Sequence, residues 1–247
     1  LRIAIKNASF IEDNLIKEDG SLFRSYKNKE STINAYIEDY ATLIDAYISL
    51  YEVSLEEKWL ILCKRLMDHT FEHFYDKNSN MFFFKSNVDS QLIAKKIELE
   101  DNVIPASNSI MANNLLKLGH LFGDKNYLKI SRQMVHNMVP LIKSHPSSYS
   151  NWINVYSNLS SSFYEVAIVG EDAIQKIKDI SKEYVPNKII CAKTSPIKNK
   201  KLGEHNVELP LLENRFLENN TMIYVCVNNS CNFPTSSPSV ALKQLNN

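Results

Sequence analysis

Two short stretches of the chain put acidic side chains where helices begin. In "AYIEDYATLIDAYISLYE", Glu38 and Asp39 open an apolar repeat, and Arg24 lies on the extended segment before it. In "ELEDNVIPASNSIMANNLLKL", Glu100 and Asp101 precede Ser107 and Asn108. Two carboxylates in unlike surroundings can hold one proton near neutral pH, which suits general acid and base work. The same residue types also serve as plain structure: Asp101, Ser107 and Asn108 are good helix caps, and Glu38 complements the helix dipole. Two further spacings bear on metals. "HTFEH", His69 to His73, has the H-x-x-E-H order that sets two imidazoles one turn apart beside a carboxylate. It falls on the wet side of its helix without a third ligand, so two surface histidines are the plainer reading. Cys226 and Cys231 form a C-x4-C pair, which zinc could use only with two more ligands, such as His205 or Cys191. Cys226 reads more simply as the inward, packing member of a strand.

The elements that must position these residues repeat along the chain. From Ile33, apolar residues recur at steps of three and four through Ile37, Tyr40, Ile44, Ile48 and Tyr51, one stripe of a helix. Leu43, Ala46 and Leu50 add a second stripe and leave Glu38, Thr42, Asp45 and Ser49 as a narrow polar strip, so this helix is mostly enclosed by protein. The next helix has one wet side. Ser54 to Glu57 reads as a capping box, behind which Trp59, Cys63, Leu66, Thr70 and Phe74 form a single stripe; Lys58, Arg65, Asp68, Glu72 and His73 face away.

"SLYEVSLEEKWLILCKRLM" aligns with "LGHLFGDKNYLKISRQMV", Trp59 against Tyr127, with one residue deleted in the connection. Extended arms, "GSLFRSYK" and "SNMFFFKS", come before the inner helices, and "SYSNWINVYSNLSS" supplies a third, shorter one. The unit is therefore outer helix, strand-like arm, inner helix, at a spacing near 68 residues. Such units must stack in an open solenoid or curl round a pocket, because none buries its faces alone. The long spacing and the arms favour a toroid, whose inner helices start at the rim of its pocket. The pairs present are too few to close a ring, so a partial barrel is expected.

Composition bounds the alternatives. With 247 residues, 44% apolar and 23% charged, the chain is an ordinary globular one that can bury a core. Twenty-eight basic side chains offset 28 acidic ones, so no whole-molecule field points to nucleic acid or an anionic membrane. The one basic cluster, "KTSPIKNKK" from Lys193 to Lys201, reads as a solvated loop. No apolar run approaches the roughly 20 residues of a spanning helix. "LRIAIKNASF" is too mixed for a signal peptide, and because the chain opens on Leu1 a preceding segment is expected. Four scattered cysteines make no disulfide framework, so reduced thiols and a cytoplasmic location are expected, with no cofactor and no metal.

After Phe163 the pattern changes to strand "YEVAIVG", helix "EDAIQKIKDISKEY", strand "KIICAK", a long polar loop, strand "TMIYVCV" and a closing helix near "SPSVALKQL". The first three read as a βαβ crossover. Gly170 stands where a phosphate loop would begin, but Glu171 and Asp172 beside it would repel phosphate. The expected fold is mainly α: a partial (α/α) toroid of helical hairpins over residues 1–162, with a small α/β cap over 163–247 packed on it.

"YIEDYATLIDAYISLYE", "EDNVIPASNSIMANNLLKL", "YEVAIVG" and "YVCVNNSCNFP" together resemble the C-terminal region of thioredoxin-domain-containing proteins of the spermatogenesis-associated protein 20 type. The resemblance implies an (α/α) barrel similar to N-acylglucosamine 2-epimerases and six-hairpin glycosidases, preceded by a thioredoxin-like domain. The chain contains no C-x-x-C, so the redox-type domain and the first barrel helices are expected to lie outside it. Sugar-processing barrels of this kind imply Asp39 and Asp101 as acid/base candidates, Arg24 to orient a hydroxyl or carboxylate, and Glu38, Glu100, Ser107 and Asn108 as substrate contacts. Trp152, Tyr149, Phe82, Phe83 and Phe84 could line a sugar-stacking wall, although core packing explains them as well. Two functions follow: a non-catalytic or degenerate barrel module that binds a partner or supports the upstream domain, or a carbohydrate-active epimerase- or glycosidase-like enzyme.

Overall fold

Three units of outer helix and inner helix follow one another, the first two joined through a strand-like arm. In the first, α1 (Arg2–Leu15) leads through the antiparallel arm β1 (Phe23–Lys27) and β2 (Glu30–Asn34) to α2 (Ile37–Ser54). In the second, α3 (Lys58–His73) leads through β3 (Tyr75–Asp76) and β4 (Met81–Phe82) to α4 (Ser107–Phe122). In the third, α5 (Lys125–Ser144) leads through a 3-10 turn to α6 (Ser150–Ser160). The structure, a computed structural model, describes residues 1–89, 95–195, 207–228 and 230–245.

Burial is deepest on α4, while outer α3 buries as many residues as inner α2, whose second expected stripe is only partly covered, with Leu43 half-buried and Ala46 exposed. α2 buries Ile37, Tyr40, Ile44, Ile48 and Tyr51 and packs against both α3 and α4, whereas α1 fully buries only Ala8. The inner helices run in the same direction. Asn114 of α4 donates to the Ala41 carbonyl of α2 at 2.8 Å, and one turn further on Lys117 meets Asp45 at 3.0 Å. α6 joins them at its start, where the Asn151 amide donates to Asp101 just ahead of α4. The starts of α2, α4 and α6 therefore share one rim.

Several local expectations are corrected. Ile33 does not extend the α2 stripe: it lies in β2, 59% exposed, with a left-handed φ of 63° that a β-branched residue rarely takes. Ser54 is not the cap of α3. It closes α2, its hydroxyl donating to the Leu50 carbonyl, and the chain then turns through a left-handed Leu55 at φ 61°. α4 ends in the same way at Gly123, φ 65°, 68 positions later, so the repeat reuses one C-cap with leucine in one copy and glycine in the other. Glu57, freed from capping, pairs with Lys193 at 2.9 Å. The α3 stripe of Trp59, Cys63, Leu66, Thr70 and Phe74 is buried as expected, but His69 is buried too, stacked on Tyr40 at 5.5 Å.

The cap comprises β5 (Tyr164–Val169), α7 (Ala173–Ile180), β6 (Lys188–Lys193), β7 (Met222–Val227), β8 (Ser230–Cys231) and α8 (Pro238–Gln244). Its strand order is β6-β5-β7-β8, with β5 and β6 parallel across α7 and β7 antiparallel to β5. Ala167, Val169, Ile189 and Cys191 face the helical hairpins; Val166, Ile168, Ile190 and Val225 face α7 and α8. A middle-layer strand has no wet face, which is why every residue of β5 is buried and why its sequence lacks alternation. Gly170 has a structural reason: a Cβ there would sit 2.5 Å from the Thr221 Cα, so the backbones of these two segments could not meet. The chain is thus mainly α, a partial (α/α) toroid of helical hairpins carrying a small α/β cap. Among the described residues no helix is long and apolar enough to cross a membrane. Most of the basic cluster, residues 196–201, and His205 lie outside the described residues.

Candidate functional site

At the start of α2 the structure brings Arg24, Glu38 and Asp39 together. Arg24 Nη1 lies 2.6 Å from Glu38 Oε1 and 3.1 Å from Asp39 Oδ2. The same Asp39 oxygen accepts from the Tyr36 amide at 2.9 Å, satisfying one of the free donors at the helix start. Desolvation by burial raises the Asp39 pKa above the ordinary carboxylate value, against the opposing pull of the Tyr36 amide and Arg24. The hydrogen bond to Glu38, ahead of the charges of Asp39 and Glu38, holds Arg24 more firmly protonated. Arg24 also lies over the Tyr36 ring at 5.1 Å, Tyr36 stacks on Phe84 at 4.9 Å, and Lys96 covers Phe84 at 5.0 Å. A cation, two rings and a second cation therefore tie the arm of one unit to the arm of the next.

At the start of α4 the candidates do different work. Asp101 accepts from the Ala106 amide at 2.8 Å, the Ser109 hydroxyl at 3.2 Å and the Asn151 amide at 2.8 Å. Its carboxylate thus pins the loop before α4 to the starts of α4 and α6. Asn108 is buried and clamps β4, accepting from the Phe82 amide at 2.8 Å and donating to the Phe82 and Glu98 carbonyls at 2.9 Å each. The Ser107 amide donates to Glu98 Oε2 at 3.2 Å, while its hydroxyl is buried without a partner. Glu100 is exposed. No hydrogen bond or ion pair among the described residues links the Arg24 group to the Asp101 group.

The remaining candidates separate as well. Phe82, Tyr149 and Trp152 belong to the core, so they form no open stacking wall; Phe83 and Phe84 stay half-buried. His69 and His73 touch ring to ring at 4.4 Å, and burial, reinforced by His73, lowers the His69 pKa. Among the described residues no group of three or more His, Cys, Asp or Glu side chains could hold a metal ion. Cys226 and Cys231 are joined in a disulfide, where reduced thiols were expected, while Cys63 and Cys191 are free and buried.

One pair escaped the sequence reading. His120, near the end of α4, places Nδ1 2.7 Å from Glu165 Oε1 on β5, with the imidazole stacked on Phe163 at 4.8 Å. Both side chains are nearly enclosed, at 9% and 3% exposure, and His120 lines a cavity of about 430 Å³ together with Arg132 and Asn158. The available signal was Glu165 itself, a lone charge inside an otherwise apolar strand.

No family model matches the chain. Spermatogenesis-associated protein 20 of Rattus norvegicus is 26% identical over 217 residues, which is 85% of this chain and 27% of that protein. The Homo sapiens protein of the same name matches at the same identity and the same shares. The chain is homologous to spermatogenesis-associated protein 20. It spans 27% of the length of these relatives, so the homology reaches one part of them. An uncharacterized protein of Caenorhabditis elegans is 28% identical over 138 residues, 53% of this chain and 18% of its own length. Among solved structures, a GH76 α-mannanase of Bacteroides thetaiotaomicron superposes with a TM-score of 0.45 at 13% identity, over 62% of this chain and 43% of that one. A likeness of that size says nothing of activity.

Proposed function

We propose that the chain is a non-catalytic (α/α) module that binds a protein partner at the rim where its inner helices begin. The observation that carries this reading is how that rim is used. Its carboxylates are committed to structure, Asp39 to the Tyr36 amide and Asp101 to three donors, whereas apolar side chains stand out in solvent beside them. Val103 is 95% exposed and Ile104 57%, on the loop entering α4. Ile33 and Val88 are 59% and 65% exposed, and the residues that follow them, Asn34 and Asp89, share a hydrogen bond at 2.7 Å. Exposed apolar groups with charged neighbours suit a protein interface better than a polar substrate. The first partner to try is a thioredoxin-like domain of the kind the sequence resemblance implies, in the cytoplasm.

The test is a calorimetric titration of this chain with the remaining part of the rat relative, made as a separate protein. Saturable binding that Val103→Asp with Ile104→Asp weakens at least tenfold supports the reading. Binding that the double variant leaves unchanged, or no binding at all, refutes it. One observation favours a second reading, a carbohydrate-active barrel: Asp39 holds its proton more tightly than an ordinary carboxylate, beside Glu38 and Arg24. That reading requires monosaccharides to raise the melting temperature of the wild type but not of Asp39→Asn.

A further inference from the structure

Cys226 and Cys231 face each other across the β7–β8 hairpin, and the two ends of one guanidinium meet their sulfurs. Arg215 Nη1 donates to Cys226 Sγ at 3.5 Å and Nη2 to Cys231 Sγ at 3.3 Å. Arg215 is fixed from two further sides, its guanidinium lying over the Tyr224 ring at 4.7 Å and its carbonyl accepting from the Tyr224 hydroxyl at 3.3 Å. Among the described residues no carboxylate pairs with it. A neutral disulfide gains little from a guanidinium, but a thiolate gains a charge-assisted hydrogen bond. The two sulfurs also differ in access: Cys231 is exposed and Cys226 is 1% exposed.

We propose that Cys226, Cys231 and Arg215 form a thiol–disulfide exchange site, with thiol reductants as its substrates. A reductant thiolate attacks the exposed Cys231 Sγ, the Sγ–Sγ bond breaks, and Cys226 leaves as a thiolate that accepts from Arg215 Nη1. A second reductant thiolate attacks the mixed disulfide and releases the Cys231 thiolate opposite Nη2. Two electrons pass to the protein, the reductant leaves as its own disulfide, and both new thiolates draw their protons from solvent. The hairpin keeps its backbone pairing through this cycle, since the Asn232 amide donates to the Val225 carbonyl independently of the sulfurs. Arg215 is a positioning residue: it holds the charge that each step creates.

The experiment incubates the purified chain in glutathione buffers of graded redox ratio and counts alkylated thiols by mass spectrometry, with circular dichroism in parallel. The expected result is reversible reduction of this one bond with the helical signal unchanged. Arg215→Met slows glutathione attack about three- to tenfold, and Arg215→Lys restores part of the rate. In Cys226→Ser, alkylation of Cys231 follows a thiolate pKa below the ordinary cysteine value, a readout that a merely structural arginine would not move. Loss of the helical signal on reduction would make the bond a brace and overturn the proposal. So would an ordinary Cys231 pKa, or equal rates in wild type and Arg215→Met.

Discussion

Removing the Asp101 carboxylate distinguishes a helix cap from a catalytic acid. In Asp101→Ala the Ala106 and Asn151 amides both lose a charged acceptor, while the Ser109 hydroxyl keeps its bond to the Ala106 carbonyl at 2.8 Å. A hydrogen bond to a charged group contributes about 1.5–3 kcal/mol. Asp101 is half-buried, so the low end applies to each amide, and the substitution costs about 3 kcal/mol. Asp101→Asn keeps one acceptor oxygen and costs about half as much. Urea unfolding followed by circular dichroism reads both values, and a chain of this size should lose roughly 6–12 °C of melting temperature in Asp101→Ala. A loss below about 0.5 kcal/mol would show a carboxylate spared from structure, and the catalytic reading of Asp101 would regain its footing.

Three other outcomes are expected. Gly123→Ala places a Cβ on a residue at φ 65° and 3.2 Å from Pro210 Cγ, so it should cost about 1–2 kcal/mol in the same assay, and a neutral result would contradict the left-handed cap. Glu165→Ala takes away the acceptor of His120 Nδ1 in a nearly enclosed site and should cost about 2–4 kcal/mol; Glu165→Gln, which keeps an acceptor, should cost less. His69 has a folded pKa below the ordinary 6.5 because burial disfavours its charged form. Its neutral form is the one the fold prefers, so the associated stability is whole above 6.5 and is lost as pH falls from there toward the depressed value. His69→Phe should flatten the stability profile over that acid interval, and an unchanged slope would place the acid sensitivity elsewhere.

Much of the helical part was legible because its signals are local. The α2 stripe and the Trp59–Tyr127 correspondence depend on spacing alone, and the structure buries all of these residues except Ile33, which the β arm claims before the helix starts. Ser54 misled because a hydroxyl at a helix boundary serves either neighbour, and here the Leu50 carbonyl is nearer than any amide of α3. His69 was read as wet from the helical wheel, but the Tyr40 ring of the adjoining helix covers it, a fact of packing that no single helix contains. The Asn108 clamp on β4 and the Arg215 contact with two sulfurs join residues 26 and 16 or fewer positions apart through loops of irregular path, where no periodicity reports distance. Asp39 and Asp101 were located correctly as residues at helix starts; which backbone amides they serve depended on the arms and on α6.

Amide hydrogen exchange at the rim tests the account most directly. Tyr36, Ala106 and Asn151 owe their protection to the carboxylates of Asp39 and Asp101. Slow exchange at these amides in the wild type, with Tyr36 released selectively by Asp39→Ala and Ala106 and Asn151 by Asp101→Ala, is the predicted result. Fast exchange at all three in the wild type would mean that both acids are free at the rim, and the binding-module reading would fall.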